Sequence, residues 1–139
     1  MDTAMRILIL GQAGFIAQNL TKRLMDEGYL VVGADIKSPE FVKPSRFQRV
    51  DLRNPSECAT LFSACADYDR VYQLAADMGG AFHIFTGDND ADLMRNSALI
   101  NLNVAFLAHQ YRIKKLFYSS SVCAYSEEQT KQRIPEEAI

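Results

Sequence analysis

Short apolar runs alternate along the chain with longer segments of helical spacing. Residues 6–10 are apolar after Arg6 with no polar alternation, the pattern of a strand buried on both faces of a parallel sheet. Gly11 ends the run. Residues 14–27 follow with Ile16, Leu20 and Leu24 at every fourth position, which predicts a helix whose apolar stripe faces the core and whose stop signal is Gly28. Residues 30–34 read as a second strand and 47–50 as a short third one, reached across a loop that holds Pro39 and Pro44. Pro55 opens a predicted helix over 55–66, in the first turn where a missing N–H leaves no hydrogen bond unmade. A fourth strand over 70–74 leads through a polar loop with Gly79, Gly80 and Gly87 to a predicted helix over 92–112, with Leu99, Leu102, Ala105 and Phe106 as its buried stripe. Residues 115–119 make the fifth strand, and 125–139 are polar with no clear period. Strands and helices in this alternation predict βαβ units, and right-handed crossovers assemble them into one doubly wound parallel sheet with helices on both faces, a three-layer α/β architecture.

Composition narrows the class of partner. At 139 residues, 48% hydrophobic and 23% charged, the chain has the size and balance of one globular domain. A net charge of −2 supplies no basic field for nucleic acid or an anionic membrane surface. Apolar runs stay far below the roughly 20 residues of a membrane span, and the first five residues lack the basic and apolar regions of a signal peptide. These features predict a cytoplasmic protein with neither nucleic-acid nor membrane partners. Cys58, Cys65 and Cys123 have spacings that suit neither a disulfide framework nor a zinc site, so they are expected to be reduced thiols and no metal site is expected.

The turn between the first strand and its helix reads Gly11-Gln12-Ala13-Gly14-Phe15-Ile16-Ala17. Gly11 permits a tight turn, Gly14 lets the backbone approach a pyrophosphate at the helix N-terminus, and Ala17 allows close packing of the helix. A glycine pattern alone also describes an ordinary tight turn. Asp35 adds weight: it ends the second strand, 21 residues after Gly14, where a carboxylate accepts hydrogen bonds from ribose hydroxyls. The same charge repels a 2′-phosphate, which favours NAD over NADP. The fold expected is therefore Rossmann-like.

The segment from Gly11 to Ala17, Asp35, the Asp51-Leu52 pair after the third strand and Leu74-Ala75-Ala76 after the fourth together resemble the cofactor-binding segments of the extended short-chain dehydrogenase/reductases, the NAD-dependent epimerase/dehydratase family. The resemblance implies that Gly11, Gly14, Phe15, Ile16, Asp35, Ile36, Asp51, Leu52, Leu74, Ala75 and Ala76 bind the dinucleotide, with Asp51 and Leu52 at the adenine and 74–76 beside the pyrophosphate and ribose. Without it, Asp51 reads as a solvated loop carboxylate and 74–76 as a plain strand end. Two further strings, Ala75-Ala76-Asp77-Met78-Gly79-Gly80 and Ser119-Ser120-Ser121-Val122-Cys123-Ala124-Tyr125, resemble the branch of that family that epimerises GDP-mannose. By this resemblance Met78, Gly79 and Gly80 border the sugar, Ser121 hydrogen-bonds the sugar oxygen being oxidised, and Cys123 is the thiol that moves a proton at the epimerised carbon. Such a mechanism is chemically coherent, because a transient ketone acidifies the neighbouring C–H bonds and a thiol nearby exchanges the proton. Read from the residue alone, a lone cysteine at a strand end is more often a small buried hydrophobe. Cys58, Cys65, His83 and His109 keep such structural readings.

The sequence also departs from the family. A Tyr-x-x-x-Lys pair is expected some tens of residues after Cys123 and does not occur; Tyr125 is followed four residues later by Gln129. The chain is expected to stop after about the fifth strand, short of a sixth strand and of a C-terminal substrate domain. Ser97 stands where relatives often carry asparagine, beside Asn96, and Ser126 replaces a proline. The resulting expectation is the N-terminal, NAD-binding part of a nucleotide-sugar epimerase, an isomerase inactive alone, with a GDP-mannose-like partner. An exposed apolar face and sheet edge would call for a homo-oligomer or a complementing C-terminal chain. Two alternatives stay open: a dehydratase or reductase acting on another nucleotide sugar, and a non-catalytic NAD-binding or interaction module.

Overall fold

The computed structural model describes residues 5–64, 67–78, 86–121, 125, 126 and 128. In chain order the elements are β1 (Arg6–Leu10), α1 (Phe15–Asp26), β2 (Leu30–Asp35), β3 (Arg46–Arg49), α2 (Pro55–Ala64), β4 (Arg70–Gln73), α3 (Asp90–Gln110) and β5 (Lys115–Tyr118). All five strands are parallel, in the order β3-β2-β1-β4-β5. The chain thus leaves the centre at β1, winds outward to β3, and returns past β1 to β4 and β5. This is the doubly wound, Rossmann-like sheet, and its order reverses beside β1.

Central position explains composition. In β1, Ile7 to Leu10 are completely buried because helices cover both faces. Ile7 and Ile9 pack with Val31 of β2 against Ala17 and Leu24 of α1, while Leu8 and Leu10 point the other way, into a larger core built with α2 and α3 around Phe62, Leu61, Val71 and Val104. The period-two alternation of a strand therefore separates two cores, one on each side of the sheet. By contrast β5, paired on one side only, leaves all four of its residues exposed.

Element boundaries differ by one or two residues from the predicted ones; on α1 Leu24 is buried and Leu20 packs on the core as expected but Ile16 does not, and on α3 the face is rotated. On α1 the buried residues are Ala17, Gln18, Thr21 and Leu24, whereas Ile16 is 70% exposed. Small Ala17 and Thr21 let the helix lie close to the sheet, which a stripe led by Ile16 would hold away. On α3 the buried residues are Ile100, Val104, Leu107 and Ala108, and the expected Leu102, Ala105 and Phe106 face outward. Both stripes have helical spacing, so periodicity could not choose between them; contact with α2 and β4 does. Among the described residues no helix is long and apolar enough to cross a membrane, and no group of three or more metal-ligating side chains occurs.

Candidate functional site

The carboxyl ends of β1, β2 and β4 open into a cleft of about 330 Å³. Its walls are the β1–α1 turn (Gly11, Ala13, Gly14), the end of β2 and its continuation (Asp35, Ile36, Lys37), residues 50–53 after β3, residues 74–78 after β4, and Ile100 from α3. In a doubly wound sheet this is where ligands bind, because the loops on either side of the reversal point diverge and leave a crevice.

Gly11 sits at φ +76°, and a Cβ there would lie 2.7 Å from the backbone N and Cα of Ala75. The turn and the β4 end are thus pressed together at a point where no side chain fits. Gly14 has an ordinary φ of −73° and caps α1 without a side-chain hydrogen bond; a Cβ there would touch only the Gly11 carbonyl oxygen, at 3.2 Å. No acidic residue occupies the first turn of α1, so the amide end of this 12-residue helix presents its partial positive charge with no carboxylate from its own first turn.

Two buried glutamines hold this turn from behind. Gln12 donates from Nε2 to Thr21 Oγ1 and to the Val42 carbonyl. Gln18 donates to the Ala13 carbonyl and accepts the amides of Phe41 and Val42. The loop after β2 is thereby tied to the glycine turn. Asp35 completes the frame: one carboxylate oxygen accepts the Ala13 amide at 3.0 Å and the other accepts the Lys37 amide at 2.9 Å. Each oxygen has capacity for a further hydrogen bond, and Asp35 lines the cleft.

Across from Asp35, Arg53 grips Asp51 with its backbone amide, Nε and Nη2, at 2.7–3.2 Å. The hydrogen-bonded guanidinium holds the Asp51 carboxyl below the usual carboxylate range. Asn54 caps α2 by accepting the amides of Ser56 and Glu57, and Glu57 accepts the Asp51 amide, so the cap of α2 fixes this rim. On the opposite side Asp77 accepts from Asn96 of α3 at 2.7 Å.

Gly11, Gly14, Asp35, Ile36, Asp51, Leu52, Leu74, Ala75, Ala76 and Met78 all line the cleft. Phe15 and Ile16 do not; their side chains turn to solvent at 82% and 70% exposure, since the first turn of α1 points them away from the sheet. Ser121 lies exposed beyond the end of β5 and outside the cleft lining. Gly79, Gly80 and Cys123 fall outside the described residues, as do Cys65 and His83. Ala13 and Asp77 line the cleft from within the quoted motif strings, while Lys37, Val50, Arg53 and Ile100 carried no motif in the sequence. For Arg53 a signal existed, a cation two residues after Asp51; Ile100 is brought in only by helix packing. Cys58 is a core residue: it is fully buried, donates its thiol to the Leu52 carbonyl at 3.1 Å, and burial pushes it up to about 11.

This arrangement fits a dinucleotide, with a helix N-terminus whose first turn carries no acidic side chain, a side-chain-free approach at Gly14 and a carboxylate at the end of β2. Comparison with known proteins adds that residues 7–139 match the NAD dependent epimerase/dehydratase family. The chain belongs to that family. Within it, the chain is 36% identical to the GDP-mannose 3,5-epimerase of Arabidopsis thaliana over 127 residues, covering 88% of this chain and 32% of that protein. Its fold matches a solved UDP-glucose 4-epimerase with a TM-score of 0.74 at 25% identity, over 88% of this chain and 37% of the other. A family member solved in complex with NAD, the UDP-glucose 4-epimerase of Thermus thermophilus, matches with a TM-score of 0.68 at 27% identity, over 84% and 38%. The chain spans about a third of the length of the curated GDP-mannose epimerases it matches.

Proposed function

We propose that this chain is the NAD-binding part of a nucleotide-sugar epimerase acting on GDP-mannose or a close analogue. The observation that carries the proposal is the pairing of Asp35 with the glycine turn. Its carboxylate, already held by the Ala13 and Lys37 amides, stands at the cleft rim where it accepts ribose hydroxyls and repels a 2′-phosphate, so the cofactor is NAD rather than NADP. Gly14 and the α1 amides take the pyrophosphate; Gly11, Ile36, Leu74, Ala75 and Ala76 line its path; Asp51 and Leu52 receive the adenine. Phe15 and Ile16 contribute through their backbone amides, their side chains being outside the cleft. Bound NAD supplies a hydride acceptor for transient oxidation of the sugar at C4.

The chain's residues also contribute on the sugar side. Met78, Gly79 and Gly80 border it, Ser121 donates to the oxygen being oxidised, and Cys123 exchanges the proton at the adjacent carbon. The GDP-mannose assignment is supported by the similarity to the Arabidopsis epimerase and by the 75–80 string. Turnover requires a Tyr-x-x-x-Lys segment after Cys123, and the residues that follow Cys123 hold none, so activity is expected only when that segment is supplied. The outward stripe of Met94, Leu102 and Phe106 on α3, each at least 67% exposed, supports a homo-oligomer or a complementing chain. A second reading, a UDP-sugar enzyme, draws on the solved UDP-glucose 4-epimerases.

Calorimetric titration of the chain with NAD, with NADP and with an Asp35→Ala variant tests the proposal. NAD binding that weakens at least about tenfold in Asp35→Ala, with NADP weaker than NAD in the parent, is the expected result; tenfold corresponds to about 1.4 kcal/mol. Equal binding of both cofactors, or indifference to Asp35, would sink the reading. In a complemented enzyme, loss of epimerisation in Cys123→Ser favours GDP-mannose chemistry over the second reading.

A further inference from the structure

At the end of β4 one buried side chain touches three elements. Gln73 is 2% exposed, yet it is polar, in a strand whose neighbours Val71 and Leu8 are apolar core. Its amide is fully engaged. Nε2 donates to the Ala75 carbonyl at 2.8 Å and to Asn101 Oδ1 of α3 at 3.0 Å, and Oε1 accepts the Ala75 amide at 3.3 Å. Asn101 in turn donates to the Tyr118 hydroxyl of β5 at 3.4 Å. The Gln73 backbone carbonyl accepts both the amide and the hydroxyl of Ser119, at 3.3 and 3.2 Å.

We propose that Gln73 is a positioning residue for the cofactor cleft, clamping both backbone poles of Ala75 and tying that wall to α3 and to the β5 end. This rests on the reading of the cleft as a dinucleotide site and deepens it. Strand pairing ends at Leu74, whose amide still donates to the Leu10 carbonyl; beyond it, among the described residues, the Gln73 side chain plays the part of a ladder neighbour to Ala75. The wall has little freedom to be wrong. Ala75 backbone stands where a Cβ on Gly11 would be 2.7 Å away, so an inward shift collides with the glycine turn and an outward shift widens the path of the pyrophosphate. A single planar amide offers the donor and acceptor this requires. Methionine at the same volume would leave both poles of Ala75 unmatched, and glutamate would set a carboxylate against two oxygen acceptors.

The backbone carbonyl of the same residue holds Ser119, the first residue of the Ser119-Ser120-Ser121 string. Position 73 therefore joins the cofactor wall, through its side chain, to the strand end that leads to the proposed Ser121 hydroxyl, through a main-chain carbonyl that any residue there would offer. The Gln73 side chain touches neither the proposed cofactor nor the sugar and acts through Ala75.

The test compares Gln73→Met with Asn101→Leu in the 139-residue chain. Both variants lose the Gln73–Asn101 hydrogen bond, so both lower the melting temperature, but only the first frees Ala75. Expected in Gln73→Met are an Ala75 amide that exchanges with solvent at least about tenfold faster by NMR, and NAD affinity reduced about tenfold. Asn101→Leu is expected to change each by less than about threefold. Equal loss of affinity in both variants, or an unchanged Ala75 amide in Gln73→Met, overturns the proposal. Should Gln73→Met fail to fold, the parent decides: an Ala75 amide that exchanges at the rate of a free loop refutes the clamp, and a protected one supports it. If the parent binds no NAD, the dinucleotide reading fails, while the exchange measurement still judges the clamp by itself.

Discussion

Replacing three glycines by alanine, one at a time, separates backbone strain, steric collision and ligand access. Gly28 ends α1 at φ +86° with nothing within 4 Å of a built Cβ, so Gly28→Ala incurs only the left-handed penalty of about 1–2 kcal/mol. Gly11 has a similar φ of +76°, but its Cβ would meet the backbone of Ala75 at 2.7 Å and Leu74 C at 2.8 Å. Backbone cannot rotate away as a side-chain tip can, so β1 or β4 must move, adding about 1–3 kcal/mol as an overpacked site does. Gly11→Ala is therefore expected to cost about 2–5 kcal/mol in total. For a chain of this length that is about 7–17 °C in melting temperature, against about 3–7 °C for Gly28→Ala. Gly14→Ala, at φ −73° with one contact at 3.2 Å, should shift it by less than about 2 °C while abolishing measurable NAD binding, because its Cβ stands where the pyrophosphate approaches. Differential scanning calorimetry paired with NAD titration reads all three. If Gly11→Ala were no more damaging than Gly28→Ala, the close contact between the turn and the β4 end would be refuted. If Gly14→Ala bound NAD normally, the approach assigned to the pyrophosphate would be wrong.

Three other outcomes follow from the packing. Cys58 keeps its proton in the folded protein up to about pH 11 because burial disfavours the thiolate; the unfolded chain releases it near the ordinary thiol value. A raised folded pKa means stability is intact below the unfolded value and falls as pH climbs from there toward 11, so urea midpoints should drop over that window in the parent and less so in Cys58→Ala. Arg112 closes α3 at φ +54°, with the Ile113 amide returning to the Ala108 carbonyl; Arg112→Gly should raise the melting temperature by a few degrees, about 1 kcal/mol of relieved strain, and a decrease would contradict that strain. Leu102→Gln with Phe106→Gln, both on the outward face of α3, should leave the fold intact by circular dichroism and shift sedimentation toward monomer; an unchanged oligomeric state would remove this stripe from the interface.

Much of the layout is legible in the sequence because its causes are local. An unbroken apolar run at 7–10 requires a strand covered on both sides, and the GxxG turn with Asp35 at the next strand end marks where the cleft opens. Gly11, Gly14 and Asp35 stand out in the chain itself through glycine and charge, whereas the 74–76 segment is a plain strand end until the family resemblance singles it out. The helix faces are not legible: on α3 the stripes through Leu102 and Phe106 and through Val104 and Leu107 have equally helical spacing, and only the position of α2 and β4 selects one. Gln73 and Ile100 are equally silent. A polar residue in a four-residue strand announces nothing until its amide is found between Ala75 and Asn101, partners two and 28 positions away. Sequence by itself determined the order of elements and the chemistry at the turns, because both depend on neighbours along the chain. Tertiary structure alone decided which helix faces are covered and which side chains bridge the cleft walls, because those depend on residues that meet only once the sheet has assembled.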